Sequence, residues 1–248
     1  FNSSVSKDEK ELVSLEDYVG RMKKDQKEIY YSLGTSKEAI DLNPHLEIFK
    51  AKGLEVVYLY DPVDEFVVSS IRKHKDFDFK SVDGVDLKEL DKLEDVEKNE
   101  GPKEKFSKED DKAFGKLMLK MKEILGDRVT EVHESKRLKG SPSCLINPDD
   151  TMSSTMQKIL KMSNQGMAMP PQKRLMEINK DHKLIRNLMN VFKKNESDQF
   201  IADTTEQLYE SALLLEGNLE DPHKLVNRLN KMLTDASELY ASSKNDKG

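Results

Sequence analysis

Apolar positions in the first third of the chain fall into two short runs separated by a helical pattern. Ile29, Tyr30, Tyr31 and Leu33 form a run of strand length. An amphipathic helix pattern follows until Gly53 stops it, and a second apolar run extends from Leu54 to Tyr60. Strand, crossover helix and strand make a parallel unit, which needs helices on both faces. Asp61-Pro62 predicts the start of another helix, with Asp61 as its cap and Pro62 in its first turn. Val63, Phe66, Val67, Ser70 and Ile71 then share one face of that helix. Upstream, Ser14-Leu15-Glu16-Asp17 has the form of a capping box and predicts a helix to about Lys24. Phe77 to Val82 reads as a short extended piece that closes this first unit.

Residues 83–112 are dominated by Asp, Glu and Lys. They read either as a solvated connector or as a hinge. The apolar pattern returns with Phe114, Leu117, Met118, Met121, Ile124 and Leu125 at helical spacing, ended by Gly126. Val129 to Leu138, Cys144 to Ile146 and Arg174 to Ile178 read as strands, with a turn at Ser141-Pro142. A helix from about Asp181 carries Leu184, Ile185, Leu188, Met189 and Phe192. Between these elements, Met152, Met156, Ile159 and Leu160 occupy i, i+4, i+7 and i+8 of a short helical pattern. That stripe fits either the core of its own domain or a surface for varied partners, since methionine is flexible and polarizable.

The C-terminal part predicts a helical hairpin. Phe200, Ile201, Leu208, Ala212 and Leu215 mark the first helix, and Gly217 ends it. Asp221-Pro222 starts the second, which carries Leu225, Val226, Leu229, Met232, Leu233, Ala236, Leu239 and Tyr240. The short connection makes the pair antiparallel. Faces this wide either pack on their own core or meet a second copy in a two-fold four-helix bundle, and the pattern alone leaves both open.

Composition narrows the chemistry. Of 248 residues, 41 are basic and 47 acidic, for a net charge of −6, and the two signs are interspersed. Phosphate backbones require clustered Lys and Arg, so nucleic acid is not an expected partner. No apolar run approaches the roughly 20 residues that span a bilayer, so no membrane partner is expected either. The single Cys144 cannot form an internal disulfide, which suits a reducing, cytoplasmic setting. There is no G-x-x-x-x-G-K-[ST] and no G-x-G-x-x-G. The five histidines (His45, His74, His133, His182 and His223) show no metal-ligand spacing and read as surface or capping residues. Cys144 reads as a buried small residue rather than a nucleophile. Asp61, Asp64 and Glu65 read as helix-start carboxylates favoured by the dipole. Neither catalytic residues nor metal ligands are expected. The N-terminus lacks an initiator Met and a signal segment, so the chain is expected to be a piece of something longer.

Several words in the chain lie in the order and spacing of one family. They are SLEDYV, KEIYY, PHLEIFKAKGLEVV and DEF in the first unit. LGDRVTEV, INPDDTMSSTMQKIL, EINKDH and NLEDPHKLVNRLNKML follow in the second. Together they span about Val13 to Leu233 and resemble the heat-shock protein 90 chaperone family, most of all its bacterial form. The resemblance implies an α/β domain followed by an α+β domain. Residues 1–86 would be the distal part of a middle domain, 87–105 a charged connector, 106–240 a dimerisation domain and 241–248 a polar tail. It implies a homodimer formed by the last two helices, through Leu208, Ala212, Leu215, Leu225, Leu229, Met232 and Leu233. It also implies a surface for partly unfolded client proteins, made by Met152, Met156, Ile159, Leu160 and Phe66. Bacterial relatives often carry Trp where Phe66 stands. Co-chaperones are a further partner class, although the tail lacks the acidic Met-Glu-Glu-Val-Asp ending of cytosolic eukaryotic members. ATP and Mg would belong to an N-terminal domain outside this chain, leaving this part non-catalytic and without a cofactor. The alternative is a small α/β ligand-binding or metabolic enzyme domain, fused to a dimerisation module, that uses the ends of its parallel strands as a crevice. Specific binding of a metabolite would favour it.

Overall fold

The computed structural model describes residues 1–8, 10–61, 63–85, 87–93, 96, 106–147 and 173–245. They form two small sheets with helices, each sheet with its own core.

The first sheet has the order β1-β3-β2-β5-β4, from β1 (Asn2–Ser3), β2 (Glu28–Leu33), β3 (Val57–Leu59), β4 (Lys73–His74) and β5 (Phe77–Ser81). The central strand β2 runs parallel to both β3 and β5, so the expected parallel unit is present. Side-chain alternation along a strand explains its two-sided burial. Tyr30, Val56 and Tyr58 face one cluster with Ile40, Leu46, Phe49 and Val82. Ile29, Val57 and Leu59 face the other with Tyr18 and Val68. Tyr18 comes from α1 (Leu15–Arg21), whose Ser14–Asp17 capping box forms as the sequence indicates.

Two expectations for this half need correction. The single crossover helix is broken into α2 (Lys37–Asp41) and α3 (Glu47–Ala51), with a 3-10 turn at Pro44–Leu46 between them. Pro44 has no N–H and disfavours helical backbone at Asn43, which sits at φ −67° and ψ 120°. The helix after Asp61, α4 (Asp64–Ile71), begins later than predicted, while Asp61 makes the contacts of a cap, accepting the N–H of Val63 at 3.0 Å and donating its own N–H to Asp64 at 3.0 Å. Beyond residue 86, α5 (Leu87–Leu90) folds back, and Leu90 and Leu93 are buried in the first core.

The second sheet has the order β6-β8-β7, from β6 (Val129–Glu134), β7 (Ser143–Ile146) and β8 (Arg174–Ile178). Beta-8 pairs parallel with β6 and antiparallel with β7. One face is covered by α6 (Lys108–Leu125), α7 (Lys183–Lys194) and α8 (Gln199–Leu215). Their stripes meet Val129, Leu145, Met176 and Ile178 in one core. Caps define these helices: Ser107 with Asp110 opens α6, His182 caps α7 through Nδ1 to Leu184 N–H, and Asp198 caps α8. Gly126 and Gly217, at φ 58° and 66°, close α6 and follow α8. The last helix, α9 (His223–Asn245), runs into the segment expected to be a polar tail.

Candidate functional site

Alpha-9 is 23 residues long, yet among its described side chains only Leu225 is a buried hydrophobic, at 6% exposure. It contributes nothing to the second core. Its ties to α8 include two ion pairs, Arg228–Glu210 at 2.8 Å and Lys231–Asp203 at 3.0 Å. Val226, Leu229 and Leu233 are exposed, the last by 58%, and Leu214 and Leu215 continue the apolar surface at the end of α8. An amphipathic helix this long normally hides its apolar stripe, and a contiguous exposed stripe marks a contact surface.

The residues assigned to the hairpin interface therefore divide. Leu208 and Ala212 are built into the chain's own core, and Leu225 is buried as well. Leu215, Leu229 and Leu233 face outward, and Met232 is half-buried. The periodicity of α8 located its apolar positions but not which of them the sheet would cover.

A second outward face lies on α4. Val63 just before it and Phe66, Val67 and Ile71 along it are all exposed, with Phe66 at 48%. The side chain that anchors this helix is Val68, packed with Ile29 and Leu59. The stripe read from the sequence is thus the solvent face of α4. Met152, Met156, Ile159 and Leu160 lie outside the described residues.

The crevice expected at strand ends in a ligand-binding α/β domain is occupied here. Gly34 follows β2, and its N–H donates to Leu59 O at 3.1 Å, tying the ends of β2 and β3 together. Ile40 lies directly over Gly34. A shallow groove between α6 and α7 is lined by Lys116, Leu119, Lys120, Glu123, Phe192 and Glu196. Its lysines are already matched, Lys116 with Glu196 and Lys120 with Glu123. Among the described residues, no three His, Cys, Asp or Glu side chains gather as a metal site. No described helix is long and apolar enough to cross a membrane.

Cys144 is buried in β7, and burial, with Glu177 beside it, pushes its thiol well above the usual cysteine range. Glu177 is itself buried, accepting the Ser135 hydroxyl at 2.6 Å and Arg137 Nε at 3.2 Å. His45 corrects the expectation of a surface or capping histidine. It is buried at the 3-10 turn, with Arg137 Nη1 3.3 Å from its Nδ1 and Asp83 3.9 Å from Nε2. Spacing in sequence carries no sign of this joint, because its partners are 92 residues apart.

Two exposed apolar faces, on α4 and along α9, lie on separately cored halves. The model of the Hsp90 protein family matches residues 1–248, and the chain belongs to that family. It is similar to Chaperone protein HtpG of Oleidesulfovibrio alaskensis, 45% identical over 241 residues. It is 38% identical over 243 residues to the protein of that name from Nitratidesulfovibrio vulgaris. In both cases the match covers 97% of this chain and 37% of the relative. The protein of the same name from Geobacter sulfurreducens is 38% identical over 220 residues, 88% of this chain and 33% of the relative. The chain thus spans little more than a third of the length of these relatives.

Proposed function

We propose that the chain is the dimerising, client-binding part of an ATP-dependent chaperone, with a distal middle domain followed by a dimerisation domain. The observation that carries this reading is α9, whose apolar stripe is left uncovered by its own core. A second copy packed two-fold against Val226, Leu229, Leu233, Leu214 and Leu215 would cover it, each large side chain contributing roughly 1.5–3 kcal/mol. Several such side chains per copy offset an association cost on the order of 4–15 kcal/mol.

Partly unfolded proteins would bind to the outward face of α4 around Phe66, together with Met152, Met156, Ile159 and Leu160. The exposed apolar side chains of α4 support the first half of that surface. The family's wording in residues 151–162 supports the second. ATP and Mg would be held by regions of the longer relatives that this chain does not match, so no catalytic residue is assigned here. The family and the reduced Cys144 fit a cytoplasmic setting.

The test is suppression of aggregation of a thermally unfolded protein by the purified chain without nucleotide. Suppression is expected, and Phe66→Ser with Val67→Ser should weaken it while leaving the melting temperature nearly unchanged. No suppression at several-fold excess of chain would contradict the client-binding role.

A further inference from the structure

The core of the second half shares no residue with the two clusters of the first, and the halves meet instead at a polar joint around Glu47. Glu47 opens α3 in the first half. Its carboxylate receives three consecutive backbone N–H groups from the second half. Lys139 and Gly140 donate to Oε2, the latter at 2.8 Å, and Ser141 donates to Oε1 at 2.9 Å. The Ser141 hydroxyl also donates to Oε1. Successive N–H groups converging on one anion form a nest, and hydrogen bonds to a charged acceptor are stronger than neutral ones.

The second half holds this receptor in place. Asn179, just after β8, donates from Nδ2 to Ser141 O at 2.9 Å and from its backbone to Pro142 O at 2.9 Å. On the side of Glu47, the Pro44–Leu46 turn immediately before α3 is buried, which fixes where the carboxylate points. Each partner is thus anchored in its own half, and the contact between them, Glu47 in the nest with Arg137 Nη1 3.3 Å from His45 Nδ1 beside it, is polar rather than a shared apolar core. Such contacts open at lower cost than the cores they join.

We propose that Glu47 is a latch. Seated in the 139–141 nest it fixes one angle between the two sheets, and on leaving the nest it allows the halves to rotate while each core stays folded. This role is independent of whether the chain dimerises.

The test uses the full chain with Glu47→Ala and Glu47→Gln. Hydrogen exchange is read at the amides of Lys139, Gly140 and Ser141. In parallel, single-molecule energy transfer is read between dyes on the exposed residues Lys27 and Lys194, with unlabelled chain in excess. Loss of the carboxylate should speed exchange at these amides roughly ten-fold or more. It should also broaden the distance distribution, while exchange at Ile29, Val57 and Leu188 stays at the wild-type rate. Should Glu47→Ala loosen both cores, Glu47→Gln decides, because it keeps the shape and one acceptor oxygen but not the charge. Faster loop exchange and a broader distribution in that variant support the latch. Wild-type exchange in Glu47→Gln, or freed amides with an unchanged distance distribution, would overturn it.

Discussion

Gly34 shows how a single side-chain position can be closed to change. A Cβ built there would lie 2.5 Å from Ile40 Cγ1, inside the first core rather than at a flexible tip. Gly34→Ala should therefore cost about 1–3 kcal/mol through overpacking, read from chemical denaturation. The sequence does not show that a residue six positions on will lie over Gly34, since that depends on how α2, capped at Ser36, packs back on the sheet. Charge at single residues is equally local. The Lys193 ammonium, and then the Ser107 hydroxyl and N–H, hold Asp110 well below the ordinary aspartate range. A depressed carboxyl adds stability that is present above its unfolded pKa and lost as pH falls through the folded value. Melting temperature against pH should fall on the acid side in the native chain, and Asp110→Asn should make that limb slightly shallower, because Asp17, Asp41, Asp127 and Asp203 are also held low. An unchanged acid limb would show that the Lys193 contact contributes nothing in solution.

At the scale of elements, the contrast between α7 and α9 separates core from contact surface. Leu188 of α7 is fully buried in the second core. Leu188→Ala should cost about 2–5 kcal/mol at any protein concentration. Leu233 of α9 is exposed in the single chain. If a second copy covers it, Leu233→Ser lowers the melting temperature at concentrations where the native pair forms and leaves it unchanged once dilution has dissociated that pair. A melting curve series over a hundred-fold dilution distinguishes the two kinds of loss. Most elements were legible because their signals are short-range. The Ser14–Asp17 box, the apolar runs of β2 and β3 and the stripe of α6 each appear within a few residues of sequence. Pro44 is equally visible as a residue, but the helical pattern runs on around it, so the break between α2 and α3 is not. The outward direction of α4 is not legible in the pattern, because among its described side chains only Val68 is buried and the longer apolar stripe is the exposed one.

For the whole molecule, the hairpin is where family wording and physical pattern converge. Periodicity found its helices, and it left open whether they served their own core or a partner. The structure uses Leu208, Ala212 and Leu225 internally and leaves Leu215, Leu229 and Leu233 outside. The joint at Glu47, His45 and Arg137 was invisible in sequence, since its partners are about ninety residues apart and follow no periodic rule. Dimerisation through α8 and α9 is the claim on which the functional account most depends. Its most direct test is solution mass by multi-angle light scattering at tens of micromolar, for the native chain and for Leu229→Glu with Leu233→Glu. The account predicts twice the 28.5 kDa chain mass for the native protein and the single-chain mass for the folded double variant. A native chain that elutes at 28.5 kDa throughout that range would contradict it.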